Sequence, residues 1–259
     1  MNTTKIIAFA NLKGGVAKTT STVSVGSILA KKGYKVLMVD LDAQANLTTS
    51  LLKGEPVESV YDALTGRNGA KLPVISIADN LSLTPSSEML AMVDIELAGA
   101  ISREKILSGL LDDLPKSRFD FILLDCSPTL GLVTLNAITA STDVVVPLVA
   151  EILPFKGLKV INKFVNVIRK KLNPDAHISG ILITRWENTN LSQFIEAELR
   201  KALGDTVYQT KIRKNVSVAE APLECRNIVE YSPRSNGAKD YLAFTEELLE
   251  RFGMYSKKE

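Results

Sequence analysis

The sequence predicts an α/β domain, a doubly wound and mostly parallel sheet with helices on both faces. Three observations predict it. Apolar runs of strand length alternate with helix-like stretches along nearly the whole chain. Most of those runs are continuously apolar, as expected of strands covered on both sides. Glycines and carboxylates gather just past the C-terminal ends of the runs, which is where open α/β sheets bind ligands. Strand, crossover and strand in succession favour parallel pairing with right-handed connections.

The elements follow in order. A first strand at 6–10 runs into a Gly-rich turn at 13–20, and a helix follows at 20–32. A strand at 36–40 ends on Asp40-Leu41-Asp42. Residues 53–73 hold Gly54, Pro56, Gly66, Gly69 and Pro73 and read as an exposed excursion. A strand at 81–84 and a helix at 86–100 come next. The strand at 119–125 ends on Asp125, before a helix at 130–140. Then come a strand at 144–148, a helix at 155–172, a strand at 178–184, a helix at 191–203 and a weaker strand at 206–208. The last helix, 238–252, reads with Leu248, Leu249 and Phe252 as its inner face. No repeat, low-complexity tract or Pro/Ser-rich linker interrupts the series, so residues 1–259 are expected to form one domain.

Composition sets outer bounds. Hydrophobic residues make up 46% of the 259 and charged residues 23%, which is enough for an ordinary core. No apolar run approaches ~18 residues, so no membrane span is expected, and no signal-peptide pattern opens the chain. The expected location is cytoplasmic. One histidine, His177, argues against histidine-based catalysis, and two cysteines, Cys126 and Cys225, form neither a disulfide framework nor a metal pattern. Net charge is +2, unevenly spread. Residues 1–150 carry 13 Lys/Arg against 15 Asp/Glu, and residues 151–259 carry 18 against 14. The mildly basic second half fits either a solvated surface or a polyanion partner.

The turn carries most of the chemistry. Lys13-Gly14-Gly15-Val16-Ala17-Lys18-Thr19-Thr20 lies between a strand and a helix N-terminus. Backbone N–H groups there point at an anion, and the helix dipole adds favourable partial charge. Lys18 would reach the outer phosphates of a nucleotide, and the Thr19 hydroxyl would sit on Mg²⁺. Three carboxylates sit at strand ends, Asp40 and Asp42 after the strand at 36–40 and Asp125 after the strand at 119–125. Asp125 fits a Mg²⁺ ligand acting through water, and a strand-end Asp is otherwise a helix cap or turn former.

The loop departs from the usual spacing of Gly, four residues, Gly-Lys-Ser/Thr. Lys-Gly-Gly-x-x-Lys-Thr-Thr instead resembles the deviant Walker A motif of the ParA/MinD family of dimeric ATPases, which have the P-loop NTPase type of fold. Most members carry Gly where this chain has Ala17. Asp40-x-Asp42-Ala43-Gln44 resembles the family's second motif, with Ala43 in place of Pro. By that resemblance Lys13 crosses a dimer interface to the partner's nucleotide, Asp42 positions the attacking water and adjoins the metal, and Asp40 supports the metal shell. Likeness extends through residues 125–128, 134–137 and 144–147. Residues 214–222 and 232–238 resemble the ParA/Soj branch, in which the positions of Asn215 and Arg213 flank the adenine. Family members usually have Pro at the Arg213 position.

The resemblance implies an ATP- and Mg²⁺-dependent homodimer that hydrolyses ATP slowly. It further implies non-specific DNA as a ligand, a ParB-like partner that stimulates turnover, a nucleoid-associated location, and a plasmid or chromosome as cargo. Another cargo (a carboxysome, a chemoreceptor array or a conjugative element) and a scaffold with little turnover stay open. Neither an N-terminal helix-turn-helix domain nor a C-terminal membrane helix is expected, because four residues precede Lys5 and no basic amphipathic extension follows Phe252. The family's two DNA-contacting arginines are replaced by Asn188 and Ser217. Basic residues nearby are Arg185, Lys211, Arg213, Lys214, Arg226 and Arg234, of which Lys211, Lys214, Arg226 and Arg234 are the candidate DNA contacts.

Overall fold

The computed structural model describes residues 4–115, 118–151 and 154–254. The chain ends at 1–3 and 255–259, on which the expectations about leader and tail partly rest, lie outside them. Eight strands form one sheet in the order β3-β4-β2-β5-β1-β6-β7-β8. They are β1 (Lys5–Phe9), β2 (Val36–Leu41), β3 (Ile75–Ala78), β4 (Leu81–Thr84), β5 (Phe121–Cys126), β6 (Asp143–Val149), β7 (His177–Trp186) and β8 (Val207–Arg213). Every pairing is parallel except β3 with β4, so the sheet is parallel with one antiparallel edge.

The longer helices are α1 (Lys18–Lys31), α2 (Val60–Thr65), α3 (Ile106–Asp112), α4 (Leu132–Ala140), α5 (Pro154–Lys171), α6 (Asn190–Leu203) and α7 (Asn236–Arg251). Two cores result, one on each face of the sheet. One gathers Val25, Ile28 and Leu29 of α1 with Tyr241, Phe244 and Leu248 of α7. The other gathers side chains of α2 to α6, among them Tyr61, Leu107, Ile138, Ile161 and Ile195. Between them β2 and β5 are buried along their whole length, as their continuous apolar runs require.

Four expectations are corrected. The predicted helix at 86–100 is a 3₁₀ turn, Glu88–Met92, followed by one α turn, Val93–Glu96. There the Asp94 carboxylate reaches across to accept from the Leu132 backbone N–H at 2.9 Å, so a tertiary contact replaces continuation of the helix. The 53–73 excursion contains α2, begun by Ser59, whose N–H and hydroxyl both donate to Asp62 (2.8 and 3.0 Å), and fixed by buried Tyr61. Residues 75–78 and 106–112 form β3 and α3, neither of which was expected. The weak strand at 206–208 extends to Arg213, because Glu247 of α7 accepts from the Gln209 and Thr210 backbone N–H groups along its edge (2.7 and 2.8 Å).

β7 is aimed by two local features. Its pairing with β6 shifts register between Val144 and Val145, which skips Ser179. Gly180 then lies under the Tyr208 ring, so close that a Cβ there would meet Tyr208 Cε2 at 2.1 Å. The Tyr208 ring packs edge-on against Phe244 at 4.8 Å, tying β8 to α7. Together these set where the C-terminal ends of β7 and β8 meet the loop after β1.

Candidate functional site

The loop between β1 and α1 forms one wall of a 990 Å³ cleft at the C-terminal edge of the sheet. Gly14, Gly15, Ala17, Lys18, Thr19 and Thr20 line that wall, and Asp42 adjoins it. Val16 is buried beneath. Neighbouring strands hold the loop. The Thr184 hydroxyl at the end of β7 donates to the Val16 carbonyl at 3.0 Å. Asn11 donates to the Pro147 carbonyl at 2.7 Å and accepts from the Lys13 N–H at 3.1 Å. Gly15 has φ 72°, a left-handed conformation that suits glycine. Ala17, which immediately precedes α1, has φ 65° and ψ 33°, so the alanine departure from the family's glycine sits in the region where a Cβ is strained.

The two lysines are placed differently. Lys18 is buried, and its Nζ donates to the Lys13 carbonyl at 3.3 Å, which folds the ammonium back along the loop. Burial pushes its pKa down, opposed by the charges of Asp125, Cys126 and Asp42. Lys13 is exposed, and its ammonium pairs with Glu151 just past β6.

The three strand-end carboxylates separate into roles. Asp125 is 1% exposed, and neither of its oxygens has a hydrogen-bond partner among the described residues. Burial and then the nearby Asp40 hold it well above the usual carboxylate range, and the Thr19 hydroxyl and Lys18 charge oppose the shift without closing a full hydrogen bond. A buried carboxylate left unpaired beside a phosphate loop fits a hydrated Mg²⁺ held also by Thr19. Asp40 is committed elsewhere. Its Oδ2 accepts from the Thr48 N–H and hydroxyl (2.8 and 2.7 Å) and its Oδ1 from the Asp42 N–H (3.1 Å). Burial pushes Asp40 up to about 6 against those bonds. Asp42 is half-buried, and its Oδ1 accepts from the Gln44 N–H at 3.1 Å. Among the described residues no three His, Cys, Asp or Glu side chains converge as a ready cation cage. A cation here would therefore complete its shell with water and phosphate, as Mg²⁺ ordinarily does.

The far end of the cleft is walled by the ends of β7 and β8 and the short helical turns that follow. Arg213 lines it, with its Nε and Nη2 donating to Asp240 of α7 at 2.9 and 2.6 Å and its backbone N–H donating to the same carboxylate at 2.9 Å. That bond raises the Arg213 pKa further. Asn215 also lines the cleft, and its Oδ1 is buried with no partner among the described residues. The candidate DNA contacts are dispersed. Lys211 pairs with Glu196 at 2.7 Å and lies 3.8 Å from the Trp186 ring centroid. Lys214 pairs with Glu187 at 2.9 Å, and Arg226 donates to the Glu230 carbonyl at 3.0 Å. Arg234 is exposed. Sequence reading missed Asn11, Thr48, Glu151, Thr184 and Asp240. All but Thr48 act on a residue far along the chain, and no local motif marks any of them.

An eight-stranded, mostly parallel sheet with this loop between β1 and α1 is the fold of the phosphate-loop NTPase class. Comparison with known proteins narrows the class. A family described as AAA domain matches residues 4–178. The sporulation initiation inhibitor protein Soj of Bacillus subtilis is 41% identical over 94% of this chain and 98% of its own. The chromosome partitioning protein ParA of Caulobacter vibrioides is 33% identical over 96% of each chain. A solved structure described as cobyrinic acid a,c-diamide synthase of Mycobacterium smegmatis, with an ATP analogue and magnesium bound, superposes with a TM-score of 0.83 at 31% identity over 96% of each chain. The chain belongs to the ParA/Soj family of partition ATPases.

Proposed function

We propose that this chain binds Mg·ATP in the β1–α1 cleft, hydrolyses it slowly, and uses the bound nucleotide to close a homodimer that carries or positions a cargo. The observation that carries the reading is the unpaired, buried Asp125 carboxylate facing Lys18 and Thr19 at the mouth of a phosphate loop. Mg²⁺, when bound, neutralises charge on the phosphates during transfer. The chain supplies the rest. The loop N–H groups and the α1 N-terminus hold the phosphates. Lys18 leaves the Lys13 carbonyl for the outer phosphate oxygens, and Asp42 orients the attacking water. Asp40 acts at one remove, by fixing the segment between Asp42 and Thr48.

Dimer closure rests on Lys13. Its ammonium is turned away from its own phosphate loop, onto exposed Glu151. An exposed ion pair is worth little and is easily exchanged, so Lys13 is available to a facing subunit's nucleotide, as an arginine finger is. Such an interface is isologous, each lysine serving the opposite site. The proposal extends to non-specific DNA binding by the dimer and to stimulation by a small ParB-like partner, supported by the likeness to chromosome-partitioning relatives. Of the four candidate DNA contacts, Arg226 and Arg234 are exposed and pair with no carboxylate among the described residues, so they are the first to test. Calorimetry with ATP in Mg²⁺ tests the core of the proposal. The wild-type chain binds, Lys18→Ala abolishes binding, and Asp42→Ala binds without turning over. A wild-type chain that binds no adenine nucleotide overturns it.

A further inference from the structure

The cleft is longer than a phosphate site requires, and the sheet order gives it a direction. β2 and β5, which carry Asp42 and Asp125, lie on one side of β1, while β6, β7 and β8 lie on the other. A nucleotide with its terminal phosphates toward the carboxylates extends its base toward the ends of β7 and β8. Those strands adjoin, with Trp186 and Arg213 in register.

Arg185 stands at this end in an unusual state. Its φ is 50°, a left-handed conformation that non-glycine residues keep only where the surroundings hold them in it. The residue before it, Thr184, is bonded to the Val16 carbonyl. The side chain of Arg185 returns over the loop, and its Nη1 donates to the Gly15 carbonyl at 3.2 Å. Only one of five guanidinium donors is used in that bond, and no carboxylate pairs with Arg185 among the described residues. It is exposed and lines the same cleft as Arg213, Asn215 and Pro222. Gly15 belongs to the phosphate loop itself, and the Arg185 Nη1 would lie 3.7 Å from a Cβ built on it. A guanidinium anchored to the Gly15 carbonyl is therefore held beside the phosphate cradle.

We infer that Arg185 is a base-binding residue, anchored by its edge to the phosphate loop so that its planar face lies against the nucleobase in the β7–β8 end of the cleft. The inference rests on the nucleotide reading above. A guanidinium face attracts an aromatic heterocycle without regard to how many phosphates it carries. Arg185 thus contributes to nucleotide affinity and leaves the choice between tri- and diphosphate to the other end of the cleft.

The test measures binding of ATP, ADP and inorganic tripolyphosphate, each with Mg²⁺, to the wild type, Arg185→Met and Arg185→Lys. Trp186, the chain's single tryptophan, adjoins the site and gives a fluorescence readout beside calorimetry. Arg185→Met is expected to bind ATP and ADP each about fivefold more weakly and to leave tripolyphosphate binding unchanged. Arg185→Lys, which keeps a cation near Gly15, falls between, and it carries the test if the Met variant folds poorly. Unchanged ATP affinity in both variants overturns the inference. So does a parallel loss of tripolyphosphate binding, which would make Arg185 a phosphate contact or a prop for the loop. A wild type that binds tripolyphosphate but neither nucleotide more tightly overturns it as well, and a wild type that binds none of the three overturns the nucleotide reading itself.

Discussion

Asp125 concentrates the physical tension of the site. A buried carboxylate with no partner is costly, and burial together with nearby Asp40 raises its pKa, which disfavours the charged form. Asp40, pushed up to about 6, adds to the effect. Both native-state values lie above those of the unfolded chain, so the native state holds protons that the unfolded state has lost. The contribution of the pair is therefore most favourable below the unfolded carboxylate range and is lost as pH rises through and beyond about 6. Replacing Asp125 with Asn removes the buried charge. In the absence of nucleotide, Asp125→Asn is expected to be more stable than the wild type at pH 8, with the gap narrowing toward pH 5. Urea unfolding at the two pH values checks this, and the same variant should lose its Mg²⁺-dependent gain in ATP affinity. At this scale the phosphate loop and the strand-end carboxylates were legible in the sequence, because they are local patterns. The division of labour between Asp40 and Asp125 was not, because Thr48 claims Asp40 only through the fold.

At the scale of elements, apolar runs located seven of the eight strands, most of them continuous because a strand covered on both faces needs no polar positions, with β8 marked only weakly. β3 escaped. It is an antiparallel edge strand of four residues whose burial alternates, too short and too mixed to stand out as an apolar run. Helix α2 escaped for a similar reason, because the glycines and prolines around it suggested irregular chain while Ser59 and Asp62 supplied the cap. Gly180 offers a test of how the site is aimed. A methyl group there would strike the Tyr208 ring, which is itself wedged against Phe244. Gly180→Ala should cost about 3 kcal/mol through forced displacement of β8. Because β7 and β8 also wall the base end of the cleft, the loss should extend to nucleotide affinity. Thermal melts and calorimetry on the same preparation would show the two falling together.

For the whole molecule, the sheet brings together groups that are distant in sequence. β1 presents the loop, β2 and β5 supply the carboxylates on one side, and β7 and β8 close the cleft on the other. One face of this arrangement is left incomplete, since Lys13 and Glu151 lie exposed at the loop's leading edge and neither serves the chain's own phosphate site. Through that face the nucleotide is expected to switch the chain between one copy and two. The direct measurement is molar mass by light scattering, with Mg²⁺, in ADP and in a non-hydrolysable ATP analogue. The mass of one chain, 28.2 kDa, is expected in ADP and twice that in the analogue. Lys13→Ala should bind the analogue yet remain at the single-chain mass. The same mass in both nucleotides for the wild type would rule out a nucleotide-driven dimer.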